Sequence, residues 1–475
     1  MLLPDLSIEG NKPAQPVVRS ANSKVLLIAV IAATGGLLFG FDTGVISGAL
    51  PFLKEYWQLS DKQIEWVTTT VLLGAVLGAL TSGKLSDFLG RKKMIIVNAI
   101  IFSIGALGCA LAGNIDVLIV MRVVVGIAIG ITSYVAPMYI AEISPTRRRG
   151  ALVTLNQLMI TIGILVSYVA DFIFSNDANL QSWRWMFAIG FVPALILLIG
   201  MFFLPESPRW LIGKNRLEEG KKILAQVEDP DLVEKTFLDL KEDVAIAATH
   251  KMHATEILKP WLRPALIITV GIFFFQQFSG VNTIIYYSPM IFKMAGIVSN
   301  TTSIIPSVII GGVNVLACLL SVFLLDRVGR RKLYLIGISG MIPSLALLGL
   351  CFYFKDALGA SLPLFSVLSI VCYIIFIAIS LAPLGWLLIS EVFPLEVRGV
   401  GMSIGSLSHW SFNAIISFTF LSLIHSIGIA ATFWSYSIIC IAGLVWGYYY
   451  IPETKGKSLE EIEKFWRKGG KPRNL

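Results

Sequence analysis

DFLGRKK at residues 87–93 recurs as DRVGRRK at 326–332, with Asp, Gly and Arg in register. Two further pairs keep nearly the same distance. EISPTRRRG at 142–150 matches EVFPLEVRG at 391–399, and LPESPRW at 204–210 echoes IPETKGK at 451–457. A constant offset of about 240–250 residues over three motifs marks a duplicated unit of roughly half the chain. The chain is therefore expected to consist of two related halves.

Each half is a series of apolar runs. Of 475 residues, 56% are hydrophobic and only 14% charged, and mean hydropathy is +0.78. Soluble domains are nearer one quarter charged, so this much apolar surface needs a bilayer as its solvent. Runs long enough to span lie at about 25–50, 64–84, 94–113, 116–140, 151–174 and 184–204, then at about 262–294, 302–325, 333–354, 362–391, 399–424 and 428–450. The expected fold class is an all-α membrane protein of twelve transmembrane helices in two six-helix bundles. Its divisions are a cytoplasmic tail (1–24), an N-terminal bundle (25–204), a linker with amphipathic helices (205–260), a C-terminal bundle (261–450) and a second tail (451–475).

The charges test this count. With both termini cytoplasmic, Lys54, Lys62, Arg184, Lys293 and Lys355 face outward and Arg122 lies within a helix. Every other Lys and Arg then falls on the cytoplasmic side, as topology demands. One helix more or fewer in the first half would scramble that asymmetry. The net charge of +8 is thus topogenic, and no nucleic-acid partner is expected. The polar N-terminus lacks the apolar core of a cleavable signal peptide, so the first span is expected to act as the insertion signal. The five cysteines all sit inside apolar runs with no CxxC, which points to packing and to neither disulfides nor a metal site.

The linker segments LEEGKKILAQ and 231–248 have helical spacing and mixed charge, as does SLEEIEKFWRK in the tail, with Ile462 and Trp466 on one side. For the tail, a docked helix and a solvated helix without a partner stand equal. At the cytoplasmic helix ends, Asp87, Arg91, Glu142 and Arg149 of the first half correspond to Asp326, Arg330, Glu391 and Arg398 of the second. Such acid–base sets can latch the helix ends together when a carrier faces outward. The alternative is a helix stop followed by topogenic basic residues.

Ionisable groups inside a membrane are costly, so the few present are informative. Asp42 lies in FGFDTGVISG on the first span and Arg122 in MRVVVG on the fourth, at depths of about 13 Å and about 9 Å by helical rise. Those depths are compatible with an ion pair, read either as a proton switch or as a fixed structural pair. The seventh span carries FFFQQFSGVNTIIYYSP at 273–289. Gln276, Gln277 and Asn282 offer amide donors and acceptors without a charge to desolvate, which suits sugar hydroxyls. Tyr286, one turn on, is placed to gate the outer side, and Gly280 permits a bend.

GKLSDFLGRKK at 83–93 resembles the loop signature of the major facilitator superfamily. PESPRW at 205–210, PETKG at 452–456, GRR at 329–331 and RxxxG at 122–126 resemble its sugar porter family, over about residues 25–465. The resemblance implies the major facilitator fold, alternating access and a monosaccharide such as glucose, galactose or xylose. It also implies sugar ligands at Gln157 (TLNQL), Asn314 (GGVNVL) and Trp386 (APLGWLLISE), the last as a stacking platform for the ring. Proton-coupled bacterial members carry Asp at the position of Asp42, which favours the proton switch. His409 in SLSHWSF stands where many members have Asn or Gln, and Ala382 replaces a frequent Gly. His409 is expected to bind a hydroxyl, to titrate, or simply to pack.

Other apparent signals carry little. GKS at 456–458 is not a phosphate-binding loop, because Ile451 holds the required glycine position. His250 and His253 have no acid or Cys cluster around them, and the sequon at Asn300 is short. The expected function is proton-coupled symport of a hexose or pentose, with the proton as coupling ion and no cofactor. The alternatives are an uncoupled facilitator and, with a tail this short less favoured, a sugar sensor. No nucleophile–base pair or metal motif suggests an enzyme. A plasma-membrane location and a monomeric functional unit complete the expectation.

Overall fold

The computed structural model describes residues 18–145, 148–249, 254–394 and 397–475; His250 and His253 and most of the N-terminal tail lie outside them. Twelve helical segments are long and apolar enough to cross a membrane: Lys24–Trp57, Asp61–Leu89, Arg91–Ala110, Ile115–Ile143, Arg149–Phe174, Leu180–Phe203, Pro260–Met294, Asn300–Leu325, Arg330–Tyr353, Lys355–Glu391, Arg398–Ile427 and Ile429–Tyr450. The twelve predicted runs coincide with them, six on each side of the linker. The largest differences are at the tenth span, which already begins at Lys355, and at the first, which continues to Trp57 because Pro51 and the polar residues after it do not stop the helix.

Three spans are interrupted. The sixth is built from Trp183–Ala188 and Phe191–Phe203. The seventh breaks between Arg263–Phe278 and Val281–Met294, where Gly280 adopts φ +85°. A residue with a Cβ pays for that left-handed conformation, so the expected bend falls at this glycine. The tenth breaks at Ile379–Ser380, between Leu362–Ala378 and Leu381–Glu391.

The repeated motifs share one construction on the face that we call inner. Gly90 (φ +96°) is the single residue between the second and third spans, and Gly329 (φ +93°) does the same between the helix of the eighth span, which runs on to Val328, and the ninth. Glu206 of PESPRW accepts the backbone N–H groups of Arg91 and Lys92, each at 3.0 Å. Glu453 of PETKG accepts those of Arg330 at 2.8 Å and Arg331 at 3.3 Å. Each carboxylate thus occupies the electropositive start of the following helix. A Cβ on Gly90 or Gly329 would lie 2.3 or 2.5 Å from that carboxylate, which is the second reason for glycine there.

The linker folds as helices Pro208–Gly213, Leu217–Val227 and Val233–Thr249 around Ile212, Leu224 and Phe237. The tail helix Leu459–Arg467 is docked. Ile462 and Trp466 are buried, and the Trp466 indole donates to the Val392 carbonyl at 3.1 Å. The five cysteines are free.

The halves are joined on the outer face. Glu65 accepts the backbone N–H and hydroxyl of Ser422 at 2.7 and 2.8 Å. Lys293 pairs with Glu55 at 2.8 Å, Asp177 accepts from Thr301 N–H at 3.0 Å, and Tyr168 donates to the Ile285 carbonyl at 3.0 Å. Hydrogen bonds from Ser299 and Thr301 outweigh the desolvation of Asp177 and hold its carboxyl below the usual range. On the inner face, among the described residues, no ion pair or side-chain hydrogen bond crosses between the halves.

Candidate functional site

In the first half the site is a charge pair. Asp42 and Arg122 are both buried, and Arg122 Nη1 donates to Asp42 Oδ1 at 2.5 Å. The guanidinium has few other partners. Its Nε reaches the Val67 carbonyl at 3.4 Å, and its Nη2 has no acceptor among the described residues. The pair expected from the depths of the two residues is therefore formed. Removing either member would leave a buried charge uncompensated.

In the second half the site is an amide chain with a fixed polarity. Asn282 Nδ2 donates to Gln277 Oε1 at 2.6 Å, and Gln277 Nε2 donates to Gln276 Oε1 at 3.2 Å. Gln276 Nε2 in turn donates to the Leu381 carbonyl at 2.9 Å, beside the break of the tenth span. Ser279 and Tyr373 hydroxyls meet at 2.9 Å in the same junction, so the breaks of the seventh and tenth spans hold each other. Gln277 Nε2 also lies 3.0 Å from His409 Nδ1. An amide nitrogen only donates, so Nδ1 accepts and the ring proton sits on Nε2.

Gln276 and Gln277 thereby spend their hydrogen bonds on the backbone and on each other. Asn282 keeps one N–H and its carbonyl, and His409 keeps Nε2. Gln157 and Asn314, half-buried on the fifth and eighth spans, make no side-chain hydrogen bonds among the described residues. Trp386 is also half-buried; its ring centroid is 5.1 Å from those of both Phe273 and His409. The uncommitted set is then Gln157, Asn282, Asn314, Trp386 and His409, with two glutamines as its frame.

Tyr286 is buried and accepts a hydrogen bond from Asn413 Nδ2 at 3.0 Å. Sequence reading missed Asn413, although it lies one turn beyond His409 on the same helix. It also missed Phe39 and Trp410, whose rings pack at 5.2 Å across the two halves. With Asp42, Thr43 and Tyr286 they line one small pocket. Asp42 of the first half and the tyrosine of the second thus face a common space.

The inner-face sets are wired differently from their spacing. Glu142 bonds Arg91, through Nε at 3.0 Å and Nη2 at 3.1 Å, and Arg91 also bonds Asp87 at 2.9 Å. Glu391 bonds Arg330 at 2.9 Å and the Thr454 hydroxyl at 2.5 Å. All of these lie within one half. Arg149 is exposed beside a cleft that Arg209 and Glu228 also line, and Arg398 buries Nε and Nη2 without a hydrogen-bond partner among the described residues. The side chain of Asp326 lies outside the described residues. Burial pushes the Glu206 carboxyl above its usual range, although three backbone N–H groups and Arg91 oppose this. The described residues contain no cluster of His, Cys, Asp and Glu suited to a metal.

A family model described as "Sugar (and other) transporter" matches residues 28–466. The galactose-proton symporter of Escherichia coli (strain K12) is 38% identical over 460 residues, covering 96% of this chain and 97% of its own. The putative metabolite transport protein YwtG of Bacillus subtilis (strain 168) is 42% identical over 435 residues, covering 91% and 93%. Among solved structures, a partially occluded inward open conformation of the xylose transporter XylE from E. coli superposes with a TM-score of 0.80. It is 28% identical and covers 92% of this chain and 100% of that one.

Proposed function

The chain belongs to the sugar porter family of the major facilitator superfamily, a family of carriers and not of enzymes, and from that premise we propose that it moves a monosaccharide inward together with a proton. The observation that carries this reading is the buried Asp42–Arg122 pair beside the pocket that Tyr286 and Trp410 of the other half also line. Asp42 is the proton carrier and Arg122 its alternating counter-charge. When Arg122 holds Asp42 the carboxylate keeps its charge; when the pair parts, burial favours the neutral acid and a proton must enter. The shared pocket lets closure around sugar bear on that exchange.

The substrate in this reading is a hexose or pentose. Asn282, Asn314 and Gln157 give both donors and acceptors, His409 Nε2–H gives a donor, and the face of Trp386 meets the C–H side of the ring. The relatives that move galactose and xylose support that class. The proton is the coupling ion, and no cofactor takes part. The inner face, where the basic motifs gather, is cytoplasmic, as are both termini, and the carrier works as a monomer in the plasma membrane. The inner-face sets act as latches when the halves close there; Arg149 and Arg398, which form no ion pair among the described residues in this outer-closed state, are the groups that take new partners.

Purified protein in proteoliposomes with an acidic exterior tests the reading. Labelled sugar is expected to accumulate above its outside concentration, and a protonophore is expected to abolish the excess. Equilibration to equal concentrations, unaffected by the protonophore, would make the protein a facilitator.

A further inference from the structure

The first half buries a second acid for which symport through Asp42 has no use. Asp171, near the outer end of the fifth span, is fully buried. Its Oδ2 accepts the backbone N–H of Gly48 at 3.2 Å, and its Oδ1 has no partner among the described residues. The carboxyl lies flat on the first span, where a Cβ on Gly48 would come within 2.4–2.5 Å of it. The neighbouring Ser47 hydroxyl is also buried, beside the Tyr168 hydroxyl.

Among the described residues, no cation pairs with Asp171. On the first span, Asp42 pairs with Arg122, Lys54 with Asp61, and Glu55 with Lys293. Lys293 is the charged group of the outer part of the seventh span, which also carries Tyr286 and Tyr287. Arg184, the charge of the sixth span, donates to the carbonyls of Ala110 and Ala112, and the eighth span carries no charge over Asn300–Leu325. On its own helix the titratable neighbour is Tyr168, one turn inward, whose hydroxyl is committed to Ile285 of the other half. An ionised carboxylate with one weak donor and no counter-charge is not sustained in such a place, whereas the neutral acid is.

We propose that Asp171 is a second proton-binding site of this carrier, separate from Asp42 and loaded while the outer side is closed. The Tyr168–Ile285 bond ties the helix of Asp171 to the seventh span, so parting of the halves there admits water to this end of the fifth span. The proton then passes to the outer solution and returns from it on closure. A proton bound at Asp171 stabilises the outer-closed state without needing sugar.

Acid-minus-alkaline infrared difference spectra of the full-length protein in sugar-free proteoliposomes test this. Asp171→Asn is expected to lose a protonated-carboxyl band that Asp42→Asn retains. Spectra of Asp171→Asn identical to wild type would overturn the proposal. Should Asp171→Asn fail to assemble, Asp42→Asn protein with 13C-labelled aspartate carboxyls is expected to keep an isotope-shifted, pH-dependent band of a protonated acid. Absence of that band would equally overturn it. The Asp42 band reports on the symport reading alone, so the two can fail separately.

Discussion

The two halves are built alike at their inner ends and differently in their middles. Gly90, Arg91, Glu142 and Glu206 of the first half are matched by Gly329, Arg330, Glu391 and Glu453 of the second, with the same turn, the same capped helix start and the same ion pair. Midway through the membrane the match ends. The first half holds a charge pair, Asp42 with Arg122, and the second a neutral chain of Asn282, Gln277, Gln276 and His409. What duplication has kept is the clasp that ends and restarts helices. What has diverged is the chemistry, with charge on one side and sugar-sized hydrogen bonding on the other.

The comparison breaks hardest at the charge pair. Arg122→Met leaves Asp42 buried without its counter-charge, so that folding at neutral pH must take up a proton there, a loss of up to about 3–5 kcal/mol for a buried pair missing one member. Thermal unfolding of the purified protein should show it at neutral pH. The deficit should shrink in acid, where a proton neutralises the carboxylate. In the second half, Gln277→Leu leaves Asn282 and His409 without partners but strands no charge, so its loss should be smaller, about 1–3 kcal/mol.

The likeness of the inner ends is tested by Gly90→Ala and Gly329→Ala. Each puts a Cβ on an extended, positive-φ backbone that glycine alone adopts freely, about 1–3 kcal/mol, and a methyl against a carboxylate. The two losses should be equal within a few tenths of a kcal/mol by thermal unfolding; a large inequality would mean that the halves do not share the clasp. The smallest effect concerns selectivity. His409→Gln replaces a lone Nε2–H donor with a group that also accepts. A panel of competing sugars should show relative affinities changed by up to about tenfold, some 1.4 kcal/mol, with stability little altered.

Much of this was legible in the sequence, because the bilayer imposes a simple rule on length and polarity. The twelve spans, the bend at Gly280 and the pairing of Asp42 with Arg122 follow from hydropathy, glycine and helical rise. The partners of the repeated acids were not legible. Each set offers two arginines for its Glu, and only the folded chain shows that Arg91 and Arg330, from another helix pair, are the ones that reach Glu142 and Glu391. The outer-face contacts were invisible for the same reason. Glu65 and Ser422 are 357 residues apart and meet only when the two halves close. The frame role of Gln276 and Gln277 also needed coordinates, since an amide looks the same in sequence whether it is free or spent.

The central claim is that Asp42 carries the proton while the second half supplies most of the ligands to the sugar. Transport by Asp42→Asn proteoliposomes, measured both as accumulation under a pH gradient and as exchange of labelled for unlabelled sugar, tests it most directly. Accumulation should vanish while exchange stays near the wild-type rate. Undiminished accumulation by Asp42→Asn would contradict the account.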